Sequence, residues 1–267
     1  MYVDPRVALG RTQFELGSVT QFLDISCRQR ILDAVVKAVG NPNITNREYR
    51  RRLQKNAIPA LRRANVLAYY QQHEEFTGLI VHYTTVGDDG IARRLLLWSH
   101  ADRTAIGSVP VCVEPHAVAR CMQRNGVMSV GSILPEILQA FNLAPYFFEF
   151  AWKSGWKQIG IPTSSGLFVG ELQNEVDIVL KTYFKPGANG RVSRWSPYIE
   201  YFRDLVDAAN REDAPGDEMQ NLQDLKLAAT DNGRGVAARF SFLTEPYVYQ
   251  HDRDTALWDQ ARALAVG

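Results

Sequence analysis

Two short segments of this chain carry the residue types that phosphodiester chemistry needs. Pro115 to Arg124 (PHAVARCMQR) reads as a helix presenting one imidazole and two guanidiniums, and Asp177 to Pro186 (DIVLKTYFKP) reads as a strand ending in Lys-Thr-Tyr. At about 100° per residue, His116, Arg120, Gln123 and Arg124 share one arc of that helix. Ala117, Val118, Ala119, Cys121 and Met122 take the rest. Pro115 suits the first helical position, so His116 sits in the first turn, where the positive end of the helix dipole favours the neutral imidazole. A neutral imidazole is what a general base requires. Arg120 and Arg124 can hold a phosphate bidentately and stabilise a pentacoordinate transition state. The competing interpretation is a solvated polar face, or one that holds phosphate without catalysis.

Alternation along the strand sets Val176, Ile178, Leu180, Thr182 and Phe184 on one side and Asp177, Val179, Lys181, Tyr183 and Lys185 on the other. Thr182 is then expected on the core side near the strand end, where a hydroxyl can reach the rim of a cleft. It is equally a β-branched residue favoured in any strand. Lys181 and Tyr183 are expected to face solvent or a partner, and to touch substrate only if their face lines the cleft.

In this order the two segments resemble the metal-independent ribonuclease toxins of the barnase, EndoU, colicin D and RelE-like superfamily, over residues 110–202 at most. The resemblance implies helices ahead of a small antiparallel sheet and cleavage of RNA by its ribose 2'-hydroxyl, leaving a 2',3'-cyclic phosphate. It implies no metal and no cofactor. By it His116 is the catalytic imidazole, Arg120 and Arg124 hold phosphate, and Thr182 and Tyr183 are the late-strand hydroxyls. The second histidine of EndoU-like members has no counterpart before His251, and nothing marks Glu171 or Glu175 as the carboxylate base of barnase-like ones.

Charge offers a second function. The formal net charge is only +1, so any polyanion site must come from local clustering. Arg47, Arg50, Arg51, Arg52, Lys55, Arg62 and Arg63 crowd one stretch with only Glu48 opposing them. This stretch should form one exposed helical face, because a buried array of unpaired guanidiniums is prohibitively costly. Arg51 and Arg52 there, with Lys181 and Arg124, are candidate RNA-binding groups. The alternative to a nuclease is thus a non-catalytic module that binds nucleic acid or an acidic protein through residues 47–63. Past residue 199 acidic residues dominate, which leaves room for a protein partner or inhibitor. Enzymes of other classes, including nucleotide-dependent transferases, would use the same His, Arg and Tyr to hold a dinucleotide.

Three cysteines without CxxC spacing give neither a disulfide framework nor a metal cluster. His73, His82 and His100 are scattered. No signal-like amino end and no apolar run of about 18 residues is visible, so the expected setting is cytoplasmic, or delivery into a target cell without a classical signal, and no membrane partner is expected.

The elements that must position these groups follow from periodicity. Residues 28–39 have helical spacing and Gly40 to Asn43 stops them; Thr45 or Asn46 caps a second helix to about Gln72, restarted or kinked at Pro59. Segments 78–86 and 91–99 form a hairpin around Asp88-Asp89-Gly90, and 109–113 is a strand. Helices are expected over Ser129–Phe141 and 197–210. Runs 157–162, 166–172 and 176–184 form an antiparallel meander, since their turns are too short for a parallel crossover. The aromatic stretch from Tyr146 to Trp156 reads as core, or as a stacking surface for bases if exposed. Residues 213–235 read as a linker and a last helix lies near Asp254–Ala265. The fold class is α+β, divided as a basic helical region 1–75, a body 76–212 and an acidic extension 213–267. On this reading His116→Ala removes a surface group and leaves the melting temperature nearly unchanged.

Overall fold

The computed structural model describes residues 3–19, 26–39, 44–63, 67–72, 77–87, 89–99, 105–173, 177–185, 194–211, 221–226 and 234–247. Its helices are α1 (Pro5–Val19), α2 (Ser26–Val39), α3 (Asn46–Arg52), α4 (Ile58–Arg63), α5 (Pro115–Asn125), α6 (Val130–Ser154), α7 (Ser196–Tyr201), α8 (Arg203–Ala209), α9 (221–226) and α10 (Arg234–Arg239). Its strands are β1 (Leu67–Gln72), β2 (Thr77–Gly87), β3 (Gly90–Ser99), β4 (Ala105–Val113), β5 (Gln158–Pro162), β6 (Leu167–Gln173) and β7 (Asp177–Phe184), in the order β1-β2-β3-β4-β7-β6-β5. The protein is α+β, as its sequence pattern requires, but the sheet is mixed: β4 and β7 run parallel. The last helix expected near Asp254–Ala265, the stop at Gly40–Asn43 and most of 213–235 lie outside the described residues.

Two units divide the chain, one of residues 19–87 and 91–110, the other of 1–18, 88–90 and 111–267. These cut points differ from 1–75, 76–212 and 213–267 because the basic helices need strands to bury their apolar side.

In the first unit Thr45 caps α3, its hydroxyl accepting from Glu48 N at 3.3 Å. Tyr49, Leu53, Ala57 and Leu61 are buried at a strict spacing of four. Such a row drifts around an α-helix of 3.6 residues per turn. A wider π turn at Leu53–Ala57, closed by Ile58 N–H bonding Leu53 O, absorbs the drift and delivers Pro59 into a fresh helix. The row packs with Ile31, Val35, Ala68, Leu79, Val81, Tyr83 and Leu96. Trp98 Nε1–H donates to the Tyr49 hydroxyl. The expected helix to Gln72 is corrected: it ends at Arg63, and residues 67–72 pair antiparallel with β2. Six cross-strand partners and the burial of Ala68 outweigh local helical preference.

In the second unit β5, β6 and β7 form the antiparallel meander, in register from Gln158↔Glu171 and Gln173↔Asp177 onward. The helix expected to stop near Phe141 runs on to Ser154, through Pro145. The proline costs a backbone hydrogen bond. Burial of Phe147 and Phe150 offsets it, for both rings lie edge-on to Phe202, at 4.8 and 5.3 Å between centroids. The single helix expected over 197–210 breaks at Phe202 into α7 and α8. Helix α1 had no counterpart in the sequence pattern. Its Glu15 carboxylate accepts from Val130 N at 2.7 Å and so caps the amino end of α6. Among the described residues no single helix is long and apolar enough to cross a membrane.

Candidate functional site

Helix α5 starts and stops where its sequence dictates. Pro115 occupies the first turn, Gly126 ends the helix at φ +67°, and Glu114 N–H bonds Leu180 O at 2.9 Å. Its surroundings differ from expectation. His116, Arg120 and Gln123 are 4%, 5% and 5% exposed, so the polar arc is covered. Val3, Ala8 and Leu9 of the chain's start pack with Ala119, and the Thr12 hydroxyl lies 3.4 Å from Met122 Sδ. At its far end Asn125 Nδ2 reaches the Tyr183 hydroxyl on β7 at 3.4 Å. Within the helix, Arg120 Nη1 donates to Gln123 Oε1 at 2.8 Å. The expected silence of His116→Ala in a melt is therefore corrected. Removing a buried imidazole leaves a cavity and an abandoned partner. Thermal denaturation should show a loss of about 2 kcal/mol, several degrees in Tm. An unchanged Tm would return His116 to a solvated position.

On β7 one extra residue changes which way the hydroxyls point. Val169 pairs with Thr182 and Gly170 with Leu180, so Lys181 has no partner across the ladder. This β-bulge breaks the alternation. Phe168 and Gly170 share a face of β6, hence their partners Tyr183 and Leu180 share a face of β7. Tyr183, expected outward, is therefore corrected to the face of Leu180 and Thr182 to the other, while Thr182 is buried and Lys181 partly exposed as expected. Tyr183 is 1% exposed and its ring meets Phe168 at 4.8 Å. Its hydroxyl lies 2.7 Å from Ser165 Oγ. Thr182 is buried on the opposite face, beside Val169. Burial pushes the Tyr183 hydroxyl and the Cys121 thiol well above their usual ranges, which leaves both protonated at neutral pH.

The four residues assigned to catalysis are thus not gathered. His116 begins α5 whereas Tyr183 touches its last residue, nine residues on, or about 13 Å along the axis. Thr182 points away from Tyr183. Of the candidate binding groups, Arg124 is half-buried, and Lys181 Nζ pairs with Glu171 Oε1 at 2.5 Å and lies 5.7 Å from the Tyr247 ring centroid.

The basic stretch is as expected. Arg47, Arg50, Arg51, Lys55, Arg62 and Arg63 are exposed and Arg52 is half-buried. Arg51 and Arg52 both bind Glu48, at 2.6 and 2.8 Å, and these hydrogen bonds hold its carboxyl down to about 2. Arg50 stacks on Tyr70 at 5.1 Å. Arg47, Arg50 and Lys55 have no carboxylate partner among the described residues. Elsewhere in this unit, desolvation and then Arg93 lower His82 to about 4, so it is neutral at pH 7. Among the described residues no cluster of His, Cys, Asp and Glu could hold a metal ion.

Sequence reasoning missed one concavity. An open cleft of about 640 Å³ lies in the second unit between the end of α6, Lys157, β6 and Pro246–Tyr247. The signal was Trp152-Lys153-Ser154-Gly155-Trp156-Lys157, in which Gly155 ends the helix at φ +65° between two indoles. Residues taken as core are divided there: Trp156 is buried and Trp152 is 66% exposed.

Compared with protein-family models, with curated proteins and with solved structures, the chain matches none. Its likeness to the ribonuclease toxins rests on the two segments alone.

Proposed function

We propose that this protein binds nucleic acid through the basic helical face of residues 47–63, as a module that holds a phosphate backbone. The observation that carries this reading is six exposed cations along a helical run whose other side is a continuous buried row. Arginine-rich faces neutralise phosphates and release counterions, with affinity that needs no base contacts. The chain's net charge of +1 supplies no overall attraction, so such binding needs a local cluster of cations like this one. A nuclease reading, in which His116, Arg120, Thr182 and Tyr183 cleave RNA without metal, requires substrate to reach groups that are all under 8% exposed. The binding reading therefore stands first.

The test is retention of labelled RNA at increasing salt, in EDTA. Log affinity should fall linearly with log salt, with a slope of roughly −3 to −5 for four or five phosphate contacts. A flat salt response, or no retention at about 50 mM salt, would overturn the proposal. Appearance of RNA fragments ending in a cyclic phosphate would put the nuclease first instead.

A further inference from the structure

We propose that the cleft at the end of α6 stacks an unpaired base and holds its phosphate, which makes single-stranded nucleic acid the substrate class; this rests on the nucleic-acid reading above. The cleft volume of about 640 Å³ suits a nucleotide-sized ligand. Three of its lining residues make complementary demands. Trp152 leaves a large indole 66% exposed at the cleft, although its neighbours Phe147, Phe150 and Ala151 on the same helix are wholly buried. An exposed indole beside Tyr247 offers a platform for a planar ring.

Trp156 presents the second demand. It is 4% exposed, lines the cleft, and its Nε1–H has no acceptor. That N–H is closed to solvent, so what Trp156 offers the cleft is a fixed apolar wall against which a flat ring can lie. The third is charge. Lys181 is neutralised by Glu171, but the adjacent Lys157 is exposed and forms no ion pair among the described residues. Among the described residues the cleft thus retains one uncompensated cation. A planar ring and one anion together describe a nucleoside monophosphate unit. Only an unpaired nucleotide can present its ring, because a duplex keeps its bases stacked inside. An acidic aromatic peptide also carries a ring and an anion, and the exposed basic face of residues 47–63 favours nucleic acid over it.

Calorimetric titration of the full chain with AMP and with adenosine tests the cleft, and a single-stranded decamer against a duplex of equal length tests the class. AMP should bind more tightly than adenosine, and Lys157→Ala should abolish that difference. Trp152→Ala should weaken AMP and the single strand by about 10-fold while leaving the duplex unchanged. A chain with Arg47, Arg50 and Lys55 all changed to Glu should still bind AMP, so failure of the basic face and failure of the cleft are separable. Absence of AMP binding, equal binding in Trp152→Ala, or capture of an acidic aromatic peptide in preference to AMP would overturn the assignment.

Discussion

Gly170→Ala should lower the melting temperature by roughly 10 °C, a large effect for a single methyl group. A Cβ at Gly170 would lie 1.7 Å from the Val179 carbonyl oxygen, 2.6 Å from its carbon and 2.8 Å from Leu180 Cα. All three are backbone atoms, so no side chain can swing aside. Relief must come from separating β6 and β7, and with it from losing the bulge at Lys181. A strand that slips by one residue turns every side chain to the other face, and here Leu180 and Tyr183 would no longer be buried together. Overpacking a core costs about 1–3 kcal/mol where neighbours can shift, so a rigid obstacle puts the cost at about 3 kcal/mol or more. At about 2–4 °C per kcal/mol for a unit of this size, that is the stated drop. Gly10→Ala is the control, for nothing lies within 4 Å of its Cβ position, and a helical alanine there should be neutral or stabilising by up to about 1 kcal/mol. Equal melting curves for Gly170→Ala and the wild type would mean that the two strands do not approach this closely.

Changing Arg47, Arg50 and Lys55 together to Glu should cut RNA affinity by about 100-fold or more at low salt, near 3 kcal/mol. Each loses a phosphate contact and adds a repulsion, and the salt slope should shrink by about three. These side chains are exposed, and Arg51 and Arg52 keep Glu48 between them. Stability should therefore change little, because surface substitutions of this kind usually act within about 0.5 kcal/mol each. Filter retention and a thermal melt on the same preparation separate the two effects. Undiminished retention with a normal melt would remove the basic face from the function.

Local signals were legible in the sequence. Thr45, Pro115 and Ser129 sit at helix starts because their backbone or hydroxyl chemistry belongs there, and the meander followed from three alternating runs with short turns. What could not be read was the environment on a second side. The arc bearing His116, Arg120 and Gln123 looks like a solvent face by composition, yet α5 lies enclosed between α1 and β7. Periodicity records which residues are polar, not which are covered. The bulge at Lys181 was equally invisible, because it is a property of pairing between strands and leaves no mark on either alone. Helix α6 passes Pro145 on the strength of aromatic packing with Phe202, a contact some 55 residues distant in the chain. The cleft was half legible: both tryptophans were noticed, but nothing in their spacing says that one is buried and the other is not.

The π turn at Leu53–Ala57 gives this stretch slack in chain length. Gln54 and Asn56 are exposed, so a gene can respell them with little penalty, whereas Lys55 is held by the basic face. Losing one codon there is also tolerated in geometry. The turn then closes to ordinary α winding, and Leu61 keeps its place over the core because the wider turn had taken up the extra residue. A codon lost between Ala57 and Leu61 meets no such slack and would rotate everything beyond it by about 100°. A deletion is thus cheap inside the π turn and expensive one turn later.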